Sequence, residues 1–224
     1  MRPEPAREPD TGGMTRPTEF WDSAYDDGTA PWVIGEPQPA VVELESAGWI
    51  RGAVLDIGCG TGEHAIYLAE RGYDVAGLDI SPSAIRQARA NAERHGVKAR
   101  FDVADALHLE PGPRFDTIID VGLFHVFAAS HGDVAGYVRN LATACAPDAL
   151  VHILAFADTE PGFGPRIPRT AIESAFGPGW TLESLTPTRC RARIPADFAA
   201  TSGRPEGTLT DESAWLARIR RPAS

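Results

Sequence analysis

The sequence predicts an α/β protein with a doubly wound, mostly parallel sheet, and three observations predict it. Short apolar runs alternate with helix-period runs through the middle of the chain, as in strands buried on both faces between layers of helices. One of those runs feeds directly into a glycine-rich turn and then a helical segment. The 224 residues, 43% hydrophobic and 23% charged, are enough for one α/β domain whose core needs no metal or disulfide staples.

Taken in order, residues 1–16 are rich in Pro, Gly, Arg and Glu without apolar periodicity, and are expected to form a disordered tail. A single domain is expected over residues 17–224. It opens with an aromatic segment, residues 18–39, in which Phe20, Trp21, Tyr25 and Trp32 crowd together; such density seeks either a ligand to cover or a core to pack on. The first reading makes it a lid.

Residues 53–57 form the first strand and residues 74–79 the second. The helix after the second carries its own punctuation: Ser81 as N-cap, Pro82 in the first turn, Ile85, Ala88 and Ala92 on one face, and Gly96 as stop. Strands are expected near residues 99–103 and over 115–121 and 149–156, with a helix marked by Val134, Val138, Leu141 and Cys145 before the last. In the C-terminal third, Thr170 and Glu173 suggest a capping box, residues 180–185 and 214–219 suggest strands, and residues 195–211 suggest a long loop. Residues 161–168, broken by Pro and Gly, read as a loop over the sheet edge.

Composition also excludes. With a formal net charge of -10 the chain lacks the basic footprint that neutralises phosphates, so no nucleic-acid partner is expected. No run approaches the roughly 20 apolar residues of a membrane span, and the N-terminal segment lacks the apolar core of a secretion signal. A cytoplasmic protein is expected. Cys59, Cys145 and Cys190 are odd in number and lack paired metal spacing, so they read as reduced thiols with no metal site.

The sharpest chemical signal is Val54-Leu55-Asp56-Ile57-Gly58-Cys59-Gly60-Thr61-Gly62, a strand entering a glycine turn at a helix start. Glycine permits positive φ and close approach of a ligand to backbone N–H groups. Position 63 is Glu63, so the dinucleotide fingerprint G-x-G-x-x-G is not satisfied, which disfavours a nicotinamide oxidoreductase. Asp79, ending the second strand, is placed to accept both hydroxyls of a ribose, and Asp105, after the third, to accept from an adenine amino group. Cys59 lies within the turn, where its backbone is the useful part.

Through Asp56 to Gly62, Asp79 and Asp105 the chain resembles the class I S-adenosylmethionine-dependent methyltransferases. Phe20-Trp21-Asp22, Tyr25, Pro31-Trp32, Gly35 and Pro37-Gln38-Pro39 are similar to the thiopurine and thiol methyltransferase branch, which includes bacterial small-molecule enzymes. The resemblance implies seven strands in the order 3-2-1-4-5-7-6, the last antiparallel, and an N-terminal segment that closes over the donor. It also implies a donor site made by Trp21, Trp32, Asp56, Gly58, Gly60 and Gly62, together with Asp79, Ile80, Asp105, Ala106 and Val121. S-adenosylhomocysteine is the implied product.

Strand four ends in Asp120-Val121-Gly122-Leu123-Phe124-His125-Val126-Phe127, without the Asp/Asn-Pro-Pro-aromatic motif that base-amino methylating enzymes carry. This favours a small, partly apolar acceptor near Tyr25, Phe124 and Phe127. His125 is the candidate base for an acceptor that must lose a proton; the alternative is contact with cofactor backbone or packing in the loop. His64 and Glu63 either reach the methionine end of the donor or face solvent. Oxygen, nitrogen and sulfur acceptors stay open, as do a monomer or a homodimer, and a non-catalytic donor-binding protein is the competing function.

Overall fold

The computed structural model describes residues 17–109, 112, 114–129 and 132–223. The tail expected over residues 1–16 lies outside them. A seven-stranded sheet forms the centre, in the order β3 (Arg100–Val103), β2 (Asp74–Asp79), β1 (Ala53–Ile57), β4 (Phe115–Val121), β5 (Cys145–Phe156), β7 (Leu209–Arg221), β6 (Thr181–Arg193). Strands β1 to β5 pair in parallel, and β7 runs antiparallel to both β5 and β6.

Period-two alternation explains the two-sided burial. Along β1, Leu55 and Ile57 enter one core layer and Val54 the opposite one; along β4, Ile118 and Ile119 divide the same way. Helices α5 (Phe124–Ala129), α6 (Val134–Ala144) and α7 (Arg169–Ala175) cover the first layer, which contains Phe124, Tyr137, Leu141 and Ile172. The second is covered by α2 (Pro39–Ser46), α3 (Glu63–Glu70) and α4 (Pro82–His95) through Val41, Ile66, Leu68 and Ile85. Helix α1 (Thr18–Asp26) lies against α4, where Tyr25, Ala30 and Ala84 form a small cluster of their own.

Helix α4 has the predicted ends: the Ser81 hydroxyl accepts from the Ala84 N–H at 3.0 Å, and Gly96 closes the helix at φ 67°. Three C-terminal expectations are corrected. The strand expected over 180–185 continues to Arg193 because β6 is an edge strand, where Pro187, which reads as a breaker, leaves no interior ladder bond unmade. The loop expected over 195–211 contains α8 (Ala196–Ser202), stopped by Gly203 at φ 71°, and β7 already begins at Leu209. The capping box at Thr170 does not form. Pro168 precedes the first turn without a side-chain cap, and Glu173 is drawn instead to Arg169 at 2.8 Å, its i,i+4 partner.

Candidate active site

The carboxyl ends of β1, β2, β4 and β5 open into a cleft of about 840 Å³, roofed by α1 and by the strap of residues 27–38 that joins α1 to α2. Its floor is the glycine turn. Gly58 and Cys59 donate their N–H groups to the Leu78 carbonyl at 2.7 and 2.9 Å, which ties the turn to β2. Gly58, Gly60 and Gly62 have φ values of 73°, 53° and 87°. A Cβ on Gly60 would stand 3.0 Å from the Tyr25 hydroxyl, and one on Gly62 would stand 3.1 Å from Ala88 and the Phe101 ring. Gly60 thus keeps the cleft open, whereas Gly62, absent from its walls, lets α3 pack on α4 and β3.

Asp79 is buried at the end of β2, where its two oxygens accept from the N–H groups of Gly60 and Ser81, each at 2.9 Å. Burial pushes its carboxyl up, and those two bonds pull against the shift. Asp105 accepts from the Leu107 N–H at 2.8 Å and meets His108 Nδ1 at 2.8 Å. Asp56 is buried beneath the turn. Neither of its oxygens has a hydrogen-bond partner of normal geometry among the described residues, nor does the Nε2 of His64, whose Nδ1 lies 3.9 Å from the carboxylate. Burial drives the Asp56 carboxyl well up and the His64 imidazole down to about 4. That shift moves Asp56 towards its neutral form, and like Gly62 it is absent from the walls of the cleft, contrary to its expected place in the donor site. The open glycine cradle and the Asp79 carboxylate beside it fit the nucleoside of S-adenosylmethionine.

Of the aromatic residues expected in the lid, Trp21 and Tyr25 lie on α1 and Trp32 on the strap. Trp32 donates its indole N–H to the Tyr25 hydroxyl at 2.9 Å, and Trp21 meets Trp32 edge-on with ring centroids 5.5 Å apart. Tyr25, expected among the acceptor contacts, lines the cleft and stands over Gly60. Trp21, Trp32, Ile80, Ala106 and Val121 all line the cleft with Gly58, Gly60, Asp79 and Asp105.

At the mouth of β4, the carboxylate of Asp120 accepts from the N–H groups of Leu123 and Phe124 and from the Tyr137 hydroxyl, which fixes the start of α5. Phe124 is thereby turned into the core. It is fully buried and stacks on Phe176 with centroids 6.1 Å apart, so it is not an acceptor wall, contrary to expectation. Phe127 packs on Tyr137 and also reaches the cleft.

His125 is buried with its ring stacked on Phe156, centroids 5.0 Å apart, and its Nδ1 accepts the Phe156 N–H at 2.9 Å. Burial, with the nearby Arg166 cation, pushes its pKa down to about 3. The imidazole is therefore neutral with its proton assigned to Nε2, and the lone pair a general base needs is already engaged. That geometry does not fit the base role expected from its position.

The remaining wall is made by Phe156, Phe163, Pro165, Cys190 and Ala192. Phe156 ends β5 and was discoverable from the carboxyl-end rule; Phe163 was not, being a single aromatic residue in a loop full of Pro and Gly.

A methyltransferase domain model matches residues 54–148. A 2-heptyl-1-hydroxyquinolin-4(1H)-one methyltransferase of Mycobacteroides abscessus is 38% identical over 168 residues, covering 72% of this chain and 73% of that one. Thiocyanate methyltransferase 1 of Brassica oleracea is 30% identical over 152 residues, 65% of each chain. A solved structure described as "Conversion of a Disulfide Bond into a Thioacetal Group during Echinomycin Biosynthesis" is 39% identical, covers 92% of this chain and 91% of its own, and superposes with a TM-score of 0.80. With relatives this similar across most of its length, and the strand order that the resemblance implied, the chain belongs to the class I S-adenosylmethionine-dependent methyltransferases.

Proposed function

We propose that this enzyme methylates an oxygen, nitrogen or sulfur atom of a small planar aromatic or heterocyclic molecule. The observation that carries the reading is the acceptor half of the cleft, where Phe127, Phe156 and Phe163 offer flat apolar surface beside the imidazole N–H of His125. The hydroxyquinolone acceptor of the mycobacterial relative has that character, being planar with oxygen next to a ring nitrogen.

When bound, S-adenosylmethionine supplies a methyl carbon already activated by its sulfonium. The protein's share is then placement, which can supply effective molarities of about 10⁵ to 10⁸ M. Asp79, Asp105 and the Gly58–Gly60 backbone hold the nucleoside, and Ile80, Ala106 and Val121 supply apolar contacts. Trp21 and Trp32 exclude water and face the sulfonium with their rings, worth about 0.5 to 2 kcal/mol. His125 donates its Nε2–H to an oxygen of the acceptor beside the attacking atom and so aligns it. A protic acceptor loses its proton to solvent, and S-adenosylhomocysteine leaves. Cytoplasmic location belongs to the same reading: all three cysteines are buried free thiols, and burial holds Cys145 and Cys190 up at about 12.

The test is methyl transfer from S-adenosylmethionine bearing an isotopic methyl group, followed by mass spectrometry over a panel of 1-hydroxyquinolin-4-ones, hydroxyquinolines, thiophenols and aliphatic alcohols. Label is expected in planar heterocycles and not in the aliphatic set. Donor binding with no label in any acceptor would turn the reading into a non-catalytic binding protein.

A further inference from the structure

Arg193, the last residue of β6, stands between the two covers of the cleft without lining it. Its backbone N–H donates to the Pro31 carbonyl at 2.7 Å. Its guanidinium spans three carbonyls: Nε reaches Val33 and Nη2 reaches Ile34, both at 3.2 Å, and Nη1 reaches Gly207 at 3.1 Å. Val33 and Ile34 follow Trp32 on the strap. Gly207 lies in the turn between α8 and β7, pinned back by its own N–H to Ile194 at 2.8 Å and by Ile194 to Thr208 at 2.9 Å. The strap roofs the donor half of the cleft, and the β6–α8 segment supplies Arg191, Ala192, Pro195 and Asp197 to its wall.

A continuous path of contacts follows. Gly60 in the donor cradle abuts the Tyr25 hydroxyl, which accepts from Trp32, whose two successors are bound by Arg193, which also binds the Gly207 turn. The strap is bracketed by Gly28 at φ 65° and Gly35 at φ 81°, where a Cβ would meet nothing within 4 Å; these are backbone joints rather than packed glycines. A planar fork suits three divergent carbonyls, which the point charge of lysine cannot span together.

We propose that Arg193 is a positioning residue that couples the donor cover to the acceptor cover, so that occupancy of the donor half orders the α8–β7 turn before the acceptor docks. This rests on the reading above that the donor lies beneath the strap. Energetic coupling between two sites requires a physical element that both bias, and the Arg193 fork is that element.

The test is amide hydrogen exchange of the whole chain with and without S-adenosylhomocysteine, alongside calorimetric titration, for the native protein, Arg193→Met and Arg193→Lys. In the native protein the ligand is expected to slow exchange both in strap residues 29–36 and in turn residues 203–209. In either variant the strap stays protected, protection of the turn is lost, and affinity for S-adenosylhomocysteine falls about tenfold. Should Arg193→Met fail to fold, Arg193→Lys retains the charge and stem and reads the same loss. Strap protection in the native protein without turn protection overturns the coupling and leaves the proposed function standing, as does turn protection that persists in the variants. Native protein that neither binds S-adenosylhomocysteine nor protects its strap overturns both.

Discussion

Asp120 and His125 stand five residues apart where β4 enters α5, and burial drives each towards its neutral form. The Asp120 carboxyl rises to about 6, from an ordinary value of 3.8, despite the hydrogen bond from Tyr137 at 2.6 Å. Because the folded value lies above the unfolded one, the native state binds the proton more tightly. The contribution to stability is whole below about pH 4 and is lost as pH rises through about 6. Asp120→Asn keeps an oxygen for Leu123 and Phe124 and removes the buried charge. Relative to the native protein it should gain stability between pH 4 and pH 8, by on the order of 3 kcal/mol, measured by urea unfolding. A difference that does not change with pH would contradict this. For His125 the lowered value, about 3, leaves the ring neutral through the working range. His125→Ala is expected to lower kcat about tenfold or more through loss of a donor, with the pH profile of kcat/KM unchanged in shape. A limb in the native profile near the ordinary histidine range that vanishes in the variant would restore the base.

Among the elements, α1 is fastened to α4 by a side chain far away in sequence. The Asp22 carboxylate accepts from the Ser81 hydroxyl and from the Ser83 N–H at 3.0 Å, so one residue of α1 caps the helix that follows Asp79, and these bonds hold its pKa below the usual range. Asp22→Ala should lose about 1 kcal/mol, lowering the calorimetric midpoint by roughly 2 to 4 °C, and should speed proteolysis of residues 18–36. An unchanged midpoint and cleavage rate would separate the lid from α4. The ends of α4 were legible because Ser81, Pro82 and Gly96 act on their own neighbours. The Asp22 link was not, since nothing local distinguishes it from any exposed acid. The full length of β6 was hidden for a related reason: Pro187 signals a break, and only its place at the sheet edge removes the penalty.

Across the whole molecule the two halves of the cleft differ in how they are encoded. The donor half comes from the ends of three successive strands, so the glycine turn, Asp79 and Asp105 could be read from spacing alone. The acceptor half is assembled from the end of β5, the loop of residues 157–168 and the β6–α8 corner, which meet only through long-range packing. Sequence could not say that Phe124, just beyond the end of β4, turns to Tyr137 and Phe176 and not to the cleft, because those partners come from α6 and from the segment after α7. Nor could it show that the Phe156 N–H occupies the lone pair that made His125 look like a base.

The central claim is that the nucleoside of the donor rests on Asp79 at the edge of β2, and calorimetric titration of S-adenosylhomocysteine into the native chain and Asp79→Ala tests it most directly. The account expects one-site binding by the native chain and at least about tenfold weaker binding by the variant, with the circular dichroism of the fold retained. Equal affinities in the two proteins would contradict it.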